Sequence, residues 1–380
     1  MAERILYVDD NPGTGWARLN TTELQGEIRE KKPAQVADDK AVSEALGGIK
    51  LVLMDYRLHE DTSESAAPID GLELIERFRA TIRRHGQERK PVPLLAIYTA
   101  LSNELAEQLD DCPSAPYMLA RRANVDWVFE KGYPEDSDDP LGLQLQSILS
   151  GFDLDVSNCG GDPQAQLYEF LKLPPDESWS DLAREQLVDA NPPMHDLSHD
   201  GPRAKLMRWL LQVALPFPGC FLGMESVAVR LSVTPGGLQS ALDRQPDSEL
   251  ADLLDRCQYH GALADFFPAR YWKAGIDRIL WEATEGRSMA NAEVRERTMR
   301  MIGEEVDLLA KSNPVLVVSP ETFELKSEVA DISDAVQIQP DVWPPEIDPP
   351  WVRIDDVAQD RTLRAMVVSQ DRDRLPERKD

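Results

Sequence analysis

Four short apolar runs in the first third of the chain constrain its fold more than any other feature of the sequence. They are ILYV, LVLM, LLAIY and WVFE, and segments with helical character separate them. Apolar runs of this length between helices are typical of parallel strands that helices bury on both faces. Each run leads to polar residues, in order Asp9 with Asp10, Asp55, Thr99 and Lys131. The sequence therefore predicts a doubly wound sheet whose strands end in one polar pocket.

The residues at these strand ends form a coherent chemical set. The carboxylates of Asp9, Asp10 and Asp55 carry too much negative charge to lie together unpaired, so we expect them to recruit a hard cation, naturally Mg²⁺. With that cation bound, one carboxylate can act as a nucleophile on a phosphoryl group. The Thr99 hydroxyl and the Lys131 ammonium would stabilise the oxygens that gain charge. Asp55 stands alone on its strand, and we assign it as the nucleophile.

This order of residues, with DD near the amino terminus, D ending the next run and then T and K, resembles the receiver domain of two-component response regulators. The resemblance covers residues 1–150, and IDGLELIERFR at 69–79 is similar to the family's third helix and the acidic-glycine turn before it. It implies a five-stranded flavodoxin-like fold, phosphorylation of Asp55 by a partner histidine kinase and a switch through Thr99. The Mg²⁺ ligands that it implies are Asp9, Asp10, Asp55 and the backbone carbonyl of Arg57.

Two positions depart from the family pattern. Gly132 follows Lys131 where the family usually has proline, and Val128 stands where the family has Tyr or Phe. These departures bear on kinase docking and on switching. A degenerate receiver that takes no phosphate and acts as a constitutive binding module is therefore retained as an alternative.

Breaks in the pattern divide the chain into four predicted segments. Proline and glycine clusters separate them, and the last segment contains the proline-rich stretch QPDVWPPEIDPPW, in which Trp343 and Trp351 could anchor the chain to itself or to a partner. The segments are a receiver domain at 1–150, a linker with short helices at 151–202, a mostly α-helical output domain at 203–312, and an extended strand-like and proline-rich tail at 313–380.

Residues 225–244 resemble a helix-turn-helix. Thr234 can cap the second helix with Pro235 in its first position, but Ser232 stands where glycine is usual in the turn. Helix, turn and helix is also a common way to pack an all-α domain, and packing or protein docking is the leading interpretation. If the segment reads DNA, as a regulator that dimerises on phosphorylation would, the contacts expected are Arg230, Gln239 and Arg244.

The charge of the whole chain limits its partners. A formal net charge of −27 is opposite to that of a nonspecific nucleic-acid binder. The sequence has no apolar stretch of transmembrane length and no signal-peptide pattern, which predicts a soluble, cytoplasmic protein without membrane contacts. Residues 151–380 carry no Gly-rich phosphate loop, GxSxG or HExxH, so we expect a phosphoacceptor rather than a metabolic enzyme.

Together these patterns predict a response regulator of a two-component phosphorelay. Its receiver would take a phosphoryl group on Asp55 from a histidine kinase, with Mg²⁺ as cofactor. Its helical half would signal through contacts with another protein, and phosphorylation-controlled DNA binding is the main alternative output.

Overall fold

The computed structural model describes residues 3–11, 24, 26–58, 70–87, 92–110, 112–131, 141–284, 286 and 291–376. Within them the strands are β1 (Ile5–Val8), β2 (Ile28–Lys31), β3 (Leu51–Asp55), β4 (Leu94–Thr99), β5 (Trp127–Glu130), β6 (Phe221–Gly223), β7 (Arg270–Trp272), β8 (Pro314–Val318), β9 (Leu325–Asp331), β10 (Ala335–Gln337) and β11 (Trp351–Arg353). The helices are α1 (Asp39–Ala45), α2 (Gly71–Gln87), α3 (Ser102–Gln108), α4 (Pro116–Arg122), α5 (Leu141–Asp153), α6 (Pro163–Phe170), α7 (Ser180–Asp189), α8 (Asp200–Trp209), α9 (Met224–Arg230), α10 (Pro235–Arg244), α11 (Glu249–Cys257), α12 (Lys273–Ala283), α13 (Asn291–Ile302), α14 (Ile354–Gln359) and α15 (Arg361–Met366).

The chain forms two compact units, each assembled from separate stretches of sequence. The first unit comprises Met1–Lys172, Pro192–Pro216 and Gly261–Phe267. The second unit comprises Leu173–Asn191, Phe217–His260 and Pro268–Asp380. No helix among the described residues is both long and apolar enough to cross a membrane.

A five-stranded sheet organises the first unit, in the order β2-β1-β3-β4-β5 with every neighbouring pair parallel. This is the flavodoxin-like strand order. Strands β1 and β4 are buried along their whole length, as expected for central strands of a parallel sheet covered on both faces. The predicted doubly wound sheet is confirmed, and the carboxyl ends of its strands meet at one edge.

Two later segments of the chain complete the first unit around β5. Phe266 packs edge-to-face on Trp127, with ring centroids 5.0 Å apart, and also contacts Phe129. The Gln212 amide donates to the backbone carbonyl of Asp126 at 3.1 Å. From sequence we placed residues 203–216 in the output domain. In the structure they belong to the first unit, where Gln212 and Arg208 bond polar groups just before β5.

Helices α9 to α13 of the second unit surround an apolar core. Val227, Leu238, Leu254 and Ile276 are among its buried residues. Most of this core comes from the segment predicted to be helical, because its apolar residues recur at helical spacing. The antiparallel pair β6 and β7 lies in the same unit.

The last part of the second unit is a small sheet rather than the extended tail that the prolines suggested. Its strand order is β10-β11-β8-β9, and α14 and α15 follow it. Trp343 is buried against Phe217 with ring centroids 4.5 Å apart, and its indole nitrogen donates to the Asp348 carbonyl at 3.0 Å. The prolines interrupt the strands without preventing pairing, because strands of three to seven residues fit between them.

Candidate functional site

Acidic side chains from two neighbouring strands meet at the carboxyl edge of the five-stranded sheet. Asp9 and Asp10 follow β1, and Asp55 is the last residue of β3. Ligand oxygens of these three carboxylates all lie within 4.8 Å of one another. The structure thus brings together the acidic residues that the sequence placed in one pocket, and it does so because β1 and β3 are adjacent and parallel.

Lys131 supplies the positive charge closest to these acids. Its Nζ lies 2.8 Å from Asp55 Oδ1 and 3.4 Å from Asp9 Oδ2. Two features hold it there: its backbone N–H donates to the Thr99 carbonyl at 2.7 Å, and its ammonium lies 5.1 Å from the centre of the Tyr98 ring. The Lys131 ammonium therefore pairs with two of the three carboxylates of this cluster.

Asp9 is the most buried of the three acids, at 5% exposure. Its Oδ2 accepts a hydrogen bond from the Tyr7 hydroxyl, and its Oδ1 accepts one from the Asn11 backbone N–H at 2.7 Å. Burial acts to raise the pKa of Asp9, but these hydrogen bonds and Lys131 outweigh it and hold the pKa below its usual value. Asp9 is therefore a carboxylate at neutral pH.

At Asp55 the effects that raise the pKa outweigh those that lower it. Burial raises the pKa of this carboxyl above its ordinary value, the nearby charge of Asp9 adds to the increase, and Lys131 only partly offsets it. The ionised form is thus less stable here than in water. A cation placed among these oxygens would relieve that cost, and an ionised, poorly compensated carboxylate is a better nucleophile than a well-paired one.

Thr99 ends β4 and is buried at 1% exposure. Its Oγ1 accepts a hydrogen bond from the Leu101 backbone N–H at 2.9 Å, which fixes the turn after the strand. That bond leaves the hydroxyl hydrogen available to donate. Thr99 shares the sheet edge with Asp55, because Asp55 pairs with Tyr98 in the ladder between β3 and β4.

The backbone after Asp55 is held by the start of α2. Gly71 N–H donates to the Tyr56 carbonyl at 2.8 Å, and Arg57 forms a β-bridge with Asp70. A Cβ at position 71 would overlap the Asp55 carbonyl oxygen, so only glycine allows this close approach. The Arg57 guanidinium pairs with Glu104, while the role of the Arg57 backbone carbonyl as a ligand remains a prediction.

The donor set suits a small hard cation. Three carboxylates from two adjacent strand ends offer oxygen ligands only, and Mg²⁺ prefers oxygen ligands and commonly binds through a few carboxylates. Asp9, Asp10 and Asp55 are the described residues that could hold it. No other group of three or more acidic, histidine or cysteine side chains with this spacing occurs within the described ranges.

Sequence reasoning missed Tyr7, which orients Asp9. The only signal was positional, because side chains two residues apart in a strand point to the same face. Gly132, one of the two departures from the receiver pattern, lies outside the described residues. Val128, the other, is fully buried in β5.

The three residues predicted to contact DNA lie in the second unit, and both arginines among them are ion-paired. Arg230 lies 2.7 Å from Asp277, and Arg244 bonds Glu304 through two nitrogens at 2.9 and 2.6 Å. Gln239 donates to Asp243 at 2.9 Å on the exposed face of α10. The described geometry is a helix, a turn and a helix, with Ser232 at φ +59° and the Thr234 hydroxyl capping α10 through Gly237 N–H.

No protein-family model matches the chain, and no curated protein matches it. Among solved structures, one of the Salmonella typhimurium RcsB response regulator is similar to this chain at 14% sequence identity, covering 54% of this chain and 93% of that one, with a TM-score of 0.24. A likeness of this size carries no argument about function. The functional proposal therefore rests on the residues of this chain.

Proposed function

We propose that this protein is a response regulator that accepts a phosphoryl group on Asp55. The observation that carries the proposal is the position of Lys131 Nζ, 2.8 Å from Asp55, in a cluster where the oxygens of Asp9, Asp10 and Asp55 lie within 4.8 Å. Phosphoryl transfer requires a nucleophile, a positively charged side chain beside it and ligands for a divalent cation. Asp55, Lys131 and the three carboxylates are the groups proposed for these roles, at the edge of a parallel sheet where ligands commonly bind.

In the proposed reaction a carboxylate oxygen of Asp55 attacks the phosphorus of a phosphorylated donor. The bond between phosphorus and the donor's leaving atom breaks, and the leaving group departs with the bonding electrons. The product is an acyl phosphate on Asp55. Lys131 stabilises the phosphoryl oxygens as their charge grows, and the Thr99 hydroxyl donates to one of them. Mg²⁺, held by Asp9, Asp10 and Asp55, would neutralise the charge that gathers between the acids and the phosphoryl group.

The donor in this proposal is a partner histidine kinase, and the output is a contact between the second unit and another protein. Phosphorylation adds charge and acceptor oxygens beside Lys131 and Thr99, which biases the end of β4 and the turn after it. The pairing of Arg230 with Asp277 and of Arg244 with Glu304 favours protein contact over DNA, because paired cations attract phosphates less.

The test of the phosphoryl step is intact-mass measurement after incubation with Mg²⁺ and acetyl phosphate. We expect one added phosphoryl group on the wild type and none on Asp55→Asn. The matched control is Asp110→Asn: Asp110 is an exposed acid at φ +60°, a conformation that asparagine tolerates. Phosphorylation of Asp55→Asn at the wild-type level, or no phosphorylation of the wild type by acetyl phosphate or a kinase, contradicts the proposal.

The output is tested by capture of partners on immobilised protein with and without phosphoryl donor. We expect a protein retained in a phosphate-dependent manner by the wild type and lost with Asp55→Asn. If the chain instead binds DNA and Arg230→Glu with Arg244→Glu abolishes that binding, the protein-contact output is wrong while the phosphoryl step stands.

A further inference from the structure

A basic cavity lies at the opposite edge of the five-stranded sheet from the acidic cluster. Its volume is about 500 Å³, within the range of small-molecule sites. The residues that line it come from α2, the residues leading into and starting β4, the turn before β5, and α8. All of these elements belong to the first unit.

Its charge contrasts with that of the whole chain. Four cations and a single carboxylate line the cavity, in a protein whose formal net charge is −27. They are Arg79, Arg83, Lys205, Arg208 and Asp126. A local excess of positive charge in a strongly acidic protein attracts small anions from solution while the remaining surface repels large polyanions.

The spacing along two helices creates the cavity. Arg79, Ile82 and Arg83 occupy positions i, i+3 and i+4 on one face of α2. On α8, Gly201, Ala204, Lys205 and Arg208 recur at i, i+3, i+4 and i+7, again on one face. Because two of the four residues on the α8 face are Gly and Ala, that helix leaves the space between the helices open.

Two of the four cations are already engaged. Arg208 pairs with the buried carboxylate of Asp126, whose Oδ2 also accepts the Leu95 backbone N–H at 2.6 Å. The Arg79 guanidinium pairs with Glu76 and donates to the Asn124 carbonyl. These contacts fix both guanidinium groups in place as parts of the wall.

The other two cations are exposed at the mouth. Among the residues that the structure describes, neither Arg83 nor Lys205 has an ion-pair partner, although acidic side chains outnumber basic ones in this chain. The buried part of the lining is mixed: Leu95 and Ile82 are apolar and are exposed by 3% and 8%, and the carboxylate of Asp126 lies there paired with Arg208. The cavity therefore combines exposed cations with an apolar surface at Leu95 and Ile82.

We infer that this cavity binds a phosphate-bearing small molecule with a flat or apolar portion, and that the class it fits is a nucleoside di- or triphosphate. Phosphates would lie at the mouth against Arg83 and Lys205, where guanidinium and ammonium groups suit phosphate oxygens. The ring portion would lie against the apolar side chains of Leu95 and Ile82. The site is independent of Asp55 chemistry, because none of its lining residues belongs to the acidic cluster.

The test is titration of the full-length protein with ATP, ADP, AMP and inorganic phosphate by calorimetry. EDTA is present throughout, so that no cation links the nucleotide to the acidic cluster. We expect saturable one-to-one binding that tightens with phosphate number and weakens as salt is added, since the attraction is partly electrostatic. No saturable ATP binding below about 1 mM, or equal affinity for ATP and inorganic phosphate, overturns the inference.

Reversing the charge of the two exposed cations tests whether ATP binds in this cavity. Arg83→Glu with Lys205→Glu should weaken ATP binding by at least roughly a hundredfold, or tenfold per site, while Lys40→Glu, on the exposed surface of α1, leaves it unchanged. Ala204→Leu fills the cavity without changing charge and should also weaken binding. If the folded double variant binds ATP with unchanged affinity, the assignment of the binding site to this cavity is wrong. We expect acetyl phosphate to label Asp55 normally in the same variant, which separates this test from the test of the phosphoryl site.

Discussion

The acidic cluster predicts that Asp55→Asn changes stability in opposite directions with and without Mg²⁺. Without the cation, Asp55 is repelled by Asp9 and Asp10, whose ligand oxygens lie within 4.8 Å, by at least about 3.5 kcal/mol for each pair at an effective dielectric constant near 20. Lys131 at 2.8 Å attracts it by about 6 kcal/mol on the same scale. The repulsion from the two acids therefore exceeds the attraction by at least about 1 kcal/mol. The asparagine variant should therefore equal or exceed the wild type in stability when EDTA is present.

Mg²⁺ should reverse that order. Free Mg²⁺ at about ten times its dissociation constant stabilises a protein that binds it only when folded by about 1.4 kcal/mol. For a unit of this size that corresponds to a rise in Tm of roughly 3–6 °C. With one carboxylate removed, Asp55→Asn should show a much smaller rise, so that the wild type becomes the more stable protein.

Differential scanning calorimetry in EDTA and in Mg²⁺ at matched ionic strength measures both effects. Asp110→Asn, which removes a surface acid paired with Arg122, should show the same Mg²⁺-dependent rise as the wild type, because an exposed ion pair contributes little to stability. An equal Mg²⁺-dependent rise in the wild type and in Asp55→Asn would refute the reasoning, as would a large loss of stability of Asp55→Asn in EDTA.

Three further predictions concern the same edge of the sheet. Gly71→Ala should lower the free energy of unfolding by roughly 1–3 kcal/mol and slow acetyl phosphate labelling of Asp55, because the new methyl group would overlap the Asp55 carbonyl oxygen. Urea unfolding measures the loss, and Gly236→Ala is the control because its added carbon meets no other atom. Tyr7→Phe should cost roughly 1.5–3 kcal/mol at neutral pH by removing a buried hydrogen bond to a carboxylate. Folding lowers the pKa of Asp9, so the difference in unfolding free energy between the wild type and Tyr7→Phe should be full above about pH 4, the pKa of an aspartate in the unfolded chain. It should vanish as the pH falls through the pKa of Asp9 in the folded protein. A difference that does not change with pH contradicts this prediction. The pKa of Asp55 is raised, so its reactive carboxylate form should be lost at a higher pH than that of an ordinary aspartate. The rate of acetyl phosphate labelling, measured by mass at subsaturating Mg²⁺, should therefore begin to fall at a higher pH as the solution is acidified. A rate that stays constant down to pH values near 4 contradicts this prediction.

Local chain properties were enough to predict four of the five strands and the meeting of Asp9, Asp10, Asp55, Thr99 and Lys131 at one edge. Each of the four apolar runs is long enough for one buried strand, and parallel strands connected by helices end at the same side of the sheet. The fifth strand, β2, has the sequence IREK and was expected only from the resemblance to receiver domains. The helical character of the segment around α9 to α13 followed from apolar residues at helical spacing. These inferences depend on contacts within an element or between consecutive elements.

Other features depend on contacts between residues far apart in sequence. The segment from 203 to 216 reads as part of a helical domain, yet it joins the first unit because Gln212 and Arg208 satisfy polar groups at the start of β5. The proline-rich tail pairs into a sheet, and Trp343 from the same stretch is buried against Phe217. Neither partner could be read from the local pattern.

The sequence by itself determined the sheet and the chemical set at its carboxyl edge, since both follow from the period and order of residues along the chain. Only the tertiary structure decided how that set is tuned and what lies at the other edge. The Tyr7 hydroxyl and burial set the opposite pKa shifts of Asp9 and Asp55. The basic cavity exists because two helices more than a hundred residues apart bring Arg83 and Lys205 to one opening. Electrostatic environment and cavity shape arise from packing in three dimensions, which no local pattern encodes.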